Sequence, residues 1–263
     1  MPFYGRTFIY NGIPSEFFNC YIGDFGGEGE SRTTGSNNVE LLTQKLFRRP
    51  APLLFGAEQT PVLTFPLSAY FQTELTAAEY SGVAGWLFGQ QEYKPLRICQ
   101  NDMEDTYFNC FLTEPDILRI GNMIQGFTTT VVCDAPWGWR EPKEYSYTYR
   151  GATASGTIIF FNESANSFYT YPTKLMITAN RFGGSVTITN VTDNNRQFYI
   201  TLSPYEIITM NCDLQFISSS IVTYPLENFN KNWLRFLKGR NDLTVLGNIS
   251  AISITSPIAV KVG

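Results

Sequence analysis

The 263-residue sequence contains no histidine. Without an imidazole there is no Ser-His-Asp or Cys-His nucleophile pair, and no histidine ligand for zinc. The five cysteines (Cys20, Cys99, Cys110, Cys133, Cys212) are widely spaced, odd in number and include no C-x-x-C pair. They read as free, partly buried thiols rather than a metal site or a disulfide frame. A P-loop and a dinucleotide-binding glycine fingerprint are also missing, so no catalytic residue, cofactor or metal is expected. Charge is scarce: 16% of residues are charged, with 19 Lys and Arg against 23 Asp and Glu, for a net charge of −4 and a pI near 5.0. A surface that reads phosphates pushes that balance to basic, which argues against specific nucleic-acid binding. No apolar run approaches the roughly 20 residues of a membrane helix. The opening Met1-Pro2-Phe3-Tyr4-Gly5-Arg6 is no signal peptide. Folding in a cytoplasm, with no membrane insertion, is expected.

Carboxylate chemistry needs only Asp and Glu and survives these exclusions. The densest acidic cluster, Asp102, Glu104 and Asp105, lacks the turn glycine of a calcium loop and reads as a solvated turn. Glu114 and Asp116 flank Pro115 and shape another. Three Asn-x-Ser/Thr sequons, at Asn162, Asn190 and Asn248, follow from an Asn- and Thr-rich composition when no secretion signal accompanies them.

What the chain does have is apolar and aromatic. Hydrophobic residues make up 43%, and aromatics 15%, including 21 Phe and 15 Tyr. Such a chain can form a large core, and this enrichment suits pleated sheets and protein interfaces. Arg6 to Tyr10, Asn11-Gly12, and Ile13 onward to Tyr21 read as a hairpin, because Asn-Gly supplies two positive-φ positions. Residues 23–38 are rich in Gly, Ser, Thr and Asn with no apolar period, and read as a loop able to order on a neighbour. Residues 39–73 read as strands separated by turns at Pro50, Pro52, Pro61 and Pro66. Lys45, Arg48 and Arg49 form a basic cluster, read as a solvated strand edge.

The pattern predicts one helix over residues 76–88. Thr76 is a suitable N-cap with Glu79 in capping-box position. Tyr80, Val83, Ala84, Leu87 and Phe88 share a face. Gly82 and Gly85 are expected to allow close packing against a sheet, and Gly89 to end the helix. Strands follow at 96–99, 107–112, 117–120 and 126–133. A repeated Phe-Asn-Cys at 18–20 and 108–110 suggests that these two segments pair. The Asp134-Ala135-Pro136-Trp137-Gly138-Trp139 segment breaks the pattern and marks a domain boundary, giving domains 1–134 and 135–263. Beyond it Tyr145, Tyr147 and Tyr149 alternate on one face. Strands at 175–178 and 186–189 flank Gly183-Gly184, a second hairpin signal, and 198–202, 243–246 and 252–254 supply further strands. The expected fold class is mainly β, a sandwich or jelly roll in its second half.

The order of these features resembles the distal tail proteins of siphophages, the long-tailed, non-contractile phages. The residues that carry the resemblance are the opening hairpin, the helix ending Trp86-Leu87-Phe88, and Arg119 to Cys133 running into Asp134-Ala135-Pro136-Trp137. Downstream they are Tyr171-Pro172, the Gly-Gly turn, the Ile207 to Asp213 strand, and Trp233 to Leu243 with Gly239 and Asn241. The resemblance implies a virion structural protein and not an enzyme. It further implies that the N-terminal β-sandwich-like domain with one helix forms a six-fold ring around a DNA-conducting channel. The C-terminal domain is expected to be galectin-like. The implied partners are further copies of the chain, the tail tube protein, a tip or hub protein of the tail and a receptor-binding protein, at the distal end of a tail assembled in the bacterial host cytoplasm. By the same resemblance, DNA is expected to pass through the lumen without specific binding.

Two rival readings remain. A carbohydrate-binding module of the virion, in contact with host cell-wall glycans, uses Trp137, Trp139, Tyr145, Tyr147 and Tyr149 as stacking or partner-contact aromatics. Packing of the same rings into a core is the alternative. A two-carboxylate hydrolase requires two Asp or Glu side chains facing each other across a cleft.

Overall fold

A computed structural model of the chain describes residues 5–23, 39–47, 51–59, 62–165 and 169–261. The expected loop at 23–38 falls outside these residues from position 24 on, as do Arg48, Arg49, Pro50 and Pro61. The chain divides into two compact units, Met1–Trp139 with Lys261–Gly263, and Arg140–Val260. The N-terminal unit holds strands β1 (Thr7–Tyr10), β2 (Ile13–Pro14), β3 (Cys20–Ile22), β4 (Val39–Gln44), β5 (Leu53–Gln59) and β6 (Thr64–Leu75). Helix α1 (Ala77–Phe88) follows, then β7 (Lys94–Cys99), β8 (Thr106–Leu112), β9 (Asp116–Ile120) and β10 (Met123–Cys133).

Most of these strands form one antiparallel sheet in the order β3-β6-β10-β8-β7-β1-β2, with β9 also on β10. The sheet curls until the Ile22 N–H donates to the Arg6 carbonyl at 2.8 Å. Its concave side is continuous because β6 and β8 alternate buried and less buried residues along most of their length, the period-two signature of a half-buried strand. Asn11 and Gly12 take φ of 51° and 78° between β1 and β2, as the Asn-Gly signal requires. The hairpin is shorter than expected: Ser15–Phe18 is a 3-10 turn, and β3 joins β6 instead. Phe-Asn-Cys does not mark a strand pair either, since Cys20 faces Phe71 while Cys110 faces Lys94 and Cys133. Pro66 is inside β6, opposite Thr130, and not in a turn. β3 covers β6 only at Ala69, Tyr70 and Phe71, so on that side no described strand needs the N–H that proline lacks.

Helix α1 closes the curled sheet. Thr76 Oγ1 accepts from the Glu79 N–H, and the Glu79 carboxylate accepts from the Thr76 N–H at 2.8 Å, a complete capping box. Tyr80, Val83, Trp86 and Leu87 are buried, with Ala84 and Phe88 packed alongside. The Trp86 indole stacks on Phe8 and Phe18, and its Nε1 donates to the Tyr10 carbonyl at 3.0 Å. Gly82 and Gly85 do not enable this packing. They are exposed, and a Cβ at either would meet nothing within 4 Å. Gly89 ends the helix with φ of −82°, without the left-handed turn of a glycine C-cap.

The C-terminal unit is a two-sheet sandwich. Its strands are β11 (Gly138–Thr148), β12 (Ala154–Asn162), β13 (Lys174–Ala179), β14 (Gly184–Asn190), β15 (Arg196–Leu202), β16 (Ile207–Asn211), β17 (Phe216–Ser219), β18 (Gly239–Gly247) and β19 (Ile249–Val260). One layer runs β17-β16-β13-β19-β11, the other β12-β18-β14-β15. Their inner faces share one core that includes Phe160, Ile177, Ile188, Phe198, Ile200, Phe236 and Val245; Phe160 and Phe236 stack at 4.0 Å. Gly183-Gly184 is not a hairpin turn. Both glycines have positive φ, but β13 pairs with β16 and β19 whereas β14 pairs with β15 and β18. The turn carries the chain from one layer to the other.

Buried amides replace missing backbone partners in this core. Asn241 is fully buried; its Oδ1 accepts from Asn190 Nδ2 and the Leu237 N–H, and its Nδ2 donates to the Leu237 and Gly239 carbonyls. Asn162 Nδ2 donates to Thr170 Oγ1, and Asn248 Nδ2 to the Gly183 carbonyl. The three sequon asparagines, Asn162, Asn190 and Asn248, therefore all spend their side-chain amides inside the fold.

Candidate assembly surfaces

One exposed apolar surface in the N-terminal unit belongs to β4 and β5, which pair with each other in a separate two-stranded sheet. The local sequence explains why it is apolar on both sides. Neighbouring residues in a strand point to opposite faces, so the doublet Leu41-Leu42 puts a large side chain on each, and Leu54 and Phe55 add two more at the bulge opposite Leu42 and Thr43. All four are exposed, at 59%, 46%, 64% and 66%, and Leu46 and Phe47 beyond β4 are exposed as well. A lone two-stranded hairpin is marginal in water, and an apolar patch of this kind marks a protein contact. The hairpin, hereafter the arm, has a register shift between Leu42 and Thr43, a bulge that bends a strand and sharpens its twist.

Strand β9 is a second surface. Every residue from Asp116 to Ile120 is exposed, including Ile117, Leu118 and Ile120. Among the described residues β9 pairs only with β10, which leaves one row of its backbone groups open for a further strand. Sequence reading placed both segments as strands and did not single out their exposed apolar residues. The usable signal was the apolar doublet, because a strand half-covered by its own chain alternates instead.

The aromatics singled out from sequence are mostly packed. Trp137 and Trp139 meet edge to face at 5.9 Å, and Trp139 Nε1 donates to Asp134 Oδ1. Tyr145, Tyr147 and Tyr149 are half-buried against the sandwich core, Tyr145 edge-on to Phe160 at 4.9 Å. Burial raises the hydroxyl pKa of Tyr147 and Tyr149, with a smaller push from the neighbouring tyrosine in each case. Asp102, Glu104 and Asp105 are exposed on the turn between β7 and β8, and among the described residues no three Cys, Asp or Glu side chains gather as a metal site would require. The buried carboxylates are structural: Asp193 holds Arg235 through two hydrogen bonds of 2.8 and 3.1 Å, and Glu206 accepts from the Ser203 N–H and Ser219 Oγ.

Residues 3–135 match a family model described as the phage tail protein N-terminal domain, and residues 137–256 one described as the phage tail C-terminal domain. The Dit protein of phage SPP1, described as a paradigm of the hub adsorption apparatus in phages that infect Gram-positive bacteria, superposes with a TM-score of 0.67 at 11% identity. That match covers 96% of this chain and 98% of the SPP1 protein. Chains of the phage P2 baseplate in its activated conformation, with calcium and with strontium, superpose at TM-scores of 0.57 and 0.56 and identities of 8% and 9%, each over 98% of this chain and 99% of the other. At these identities the likeness establishes the fold. No curated protein matches the sequence.

Proposed function

The chain belongs to the phage tail protein family whose two domains span residues 3–135 and 137–256, and on that premise we propose that it is the structural hub of a siphophage tail tip or baseplate. In this reading the N-terminal domain closes with further copies into a ring, six-fold by the family resemblance. The ring joins the tail tube to the tip protein and lets DNA pass. The C-terminal domain, galectin-like in this reading, faces outward toward receptor-binding proteins.

The observation that carries the proposal is the arm. A chain with 43% hydrophobic residues has ample interior for four large side chains, yet leaves Leu41, Leu42, Leu54 and Phe55 on a hairpin that no other described strand joins. The cheapest cover for such a surface is an identical neighbour in a head-to-tail contact that closes on itself. The net charge of −4 suits a lumen in which DNA slides, since closely spaced cations would hold its phosphates.

Purified protein, alone and mixed with its tail tube protein, tests this by negative-stain microscopy and sedimentation velocity. Rings with a central hole are expected, and a Leu54→Glu, Phe55→Glu double variant with an unchanged circular dichroism spectrum should no longer form them. Monomers under both conditions, or rings indifferent to the double variant, overturn the proposal.

A further inference from the structure

At one end of the C-terminal sandwich, three loops surround an open recess of about 430 Å³ whose walls include Tyr149, Arg150, Asn180, Arg181, Phe182 and Tyr205. Its volume is that of a small-molecule site. Two arginines line it and no carboxylate does, in a chain whose acids outnumber its bases. Arg150 and Arg181 are both exposed; the Arg181 guanidinium lies 4.7 Å from the centre of the Phe182 ring, an arrangement that holds it flat.

The recess is built rather than incidental. Asn180 ties the three loops together. Its Nδ2 donates to the Ala152 carbonyl at 2.6 Å, its Oδ1 accepts from the Phe182 N–H at 2.9 Å, and its backbone carbonyl accepts from the Tyr205 N–H at 3.0 Å. Tyr205 has φ of 60°, a left-handed conformation that a bulky residue adopts only when its surroundings enforce it. The surroundings here are a tight turn that follows Pro204, closed by the Glu206 N–H donating to the Ser203 carbonyl at 3.1 Å and braced by the Glu206 side chain. Glu206 is 1% exposed, and its carboxylate accepts from the Ser203 N–H at 2.6 Å and from Ser219 Oγ at 2.5 Å. The result is a tyrosine 68% exposed on a backbone that is pinned on both sides. An exposed aromatic held on a fixed turn beside two arginines, in a recess that no described carboxylate lines, is the pattern of a ligand site.

We propose that this recess binds an acidic saccharide, with its carboxylate or phosphate held by Arg150 and Arg181 and the C–H face of its ring against Tyr205. Guanidinium forks match both kinds of acid group, and the few aliphatic side chains in the walls, Ala152 and Ala179, fit a polar ring better than an apolar peptide anchor. The inference does not rest on ring assembly, because all of its residues lie in one C-terminal unit.

Isothermal titration of the full-length protein tests it with four probes: a galacturonic acid trisaccharide, glucose 6-phosphate, the neutral galactose trisaccharide, and inorganic phosphate. At least one of the two acidic sugars should bind with Kd below 1 mM, at least tenfold tighter than both controls, and which one binds identifies the acid group. An Arg150→Gln, Arg181→Gln variant should lose that binding at least tenfold. Tyr205→Gly, which relieves the left-handed strain while deleting the ring, should weaken it severalfold without lowering the melting temperature. Failure of both acidic sugars, equal binding of the neutral trisaccharide or of inorganic phosphate, or full retention in the arginine variant overturns the proposal. A protein that forms no rings but binds the acidic sugar leaves this inference standing while removing the hub reading.

Discussion

Four of the five thiols, those of Cys20, Cys110, Cys133 and Cys212, are buried and only Cys99 is exposed. Burial raises the buried ones: Cys20, Cys133 and Cys212 move from 9.0 to about 12, and Cys110 is raised further, by burial first and then by Cys133 and Asp134. A group whose folded pKa lies above its unfolded value keeps its full contribution to stability below the unfolded value. That contribution drains away as pH rises from about 9 toward 12. Melting temperatures measured at pH 7, 8, 9 and 10 should therefore be level at first and then fall, because the unfolded thiols ionise and the folded ones do not. In the native state at pH 8 a thiol-reactive dye should titrate one cysteine rapidly and the other four only on unfolding; rapid reaction of two or more contradicts the burial. The alkaline loss should shrink in a variant with Cys20 and Cys212 replaced by alanine.

Helix α1 shows how a single element couples local sequence to packing. Its capping box satisfies N–H groups that the helix cannot pair internally, so Thr76→Ala should cost about 1 kcal/mol, read as a lower urea midpoint at unchanged slope. The Glu79 carboxyl is held below its ordinary pKa, first by the Thr76 backbone N–H and then by the Thr76 hydroxyl. A depressed carboxylate contributes above its unfolded pKa and loses that contribution as pH falls through the folded one. The acid limb of the stability curve should therefore be shallower in Thr76→Ala than in the parent. This helix was the most legible element of the sequence, since cap, box and apolar period all reside within 13 residues. Trp86 escaped the helical face read from sequence because its partners, Phe8, Phe18 and the Tyr10 carbonyl, are some 70 residues away along the chain. The Gly183-Gly184 turn was legible as a turn for the same local reason. Its destination was not, because two glycines with positive φ serve a hairpin and a crossing between layers equally well.

On the scale of the whole molecule, each compact unit has its own buried core, and cores of this size fold alone. A fragment of residues 140–260 should give a cooperative thermal transition and remain monomeric. Assembly, if the arm drives it, should stay with residues 1–139, so sedimentation of the two fragments separates the roles. A monomeric N-terminal fragment alongside an oligomeric C-terminal one would relocate the interface to the sandwich.

By itself the sequence determined that imidazole chemistry is ruled out, the dominance of strands, helix α1 and its cap, and most strand positions. Those properties depend on residue type and short-range period, which operate within a dozen residues. The tertiary structure alone decided which strands pair, that β13 and β14 belong to opposite layers, that Pro66 sits inside a strand, and that the apolar residues of the arm have no cover within the described chain. It also decided that Arg150, Arg181 and Tyr205, from separate loops, line one recess. Pairing and exposure are sums over distant neighbours, and a local pattern states what a residue can do but not which partner reaches it.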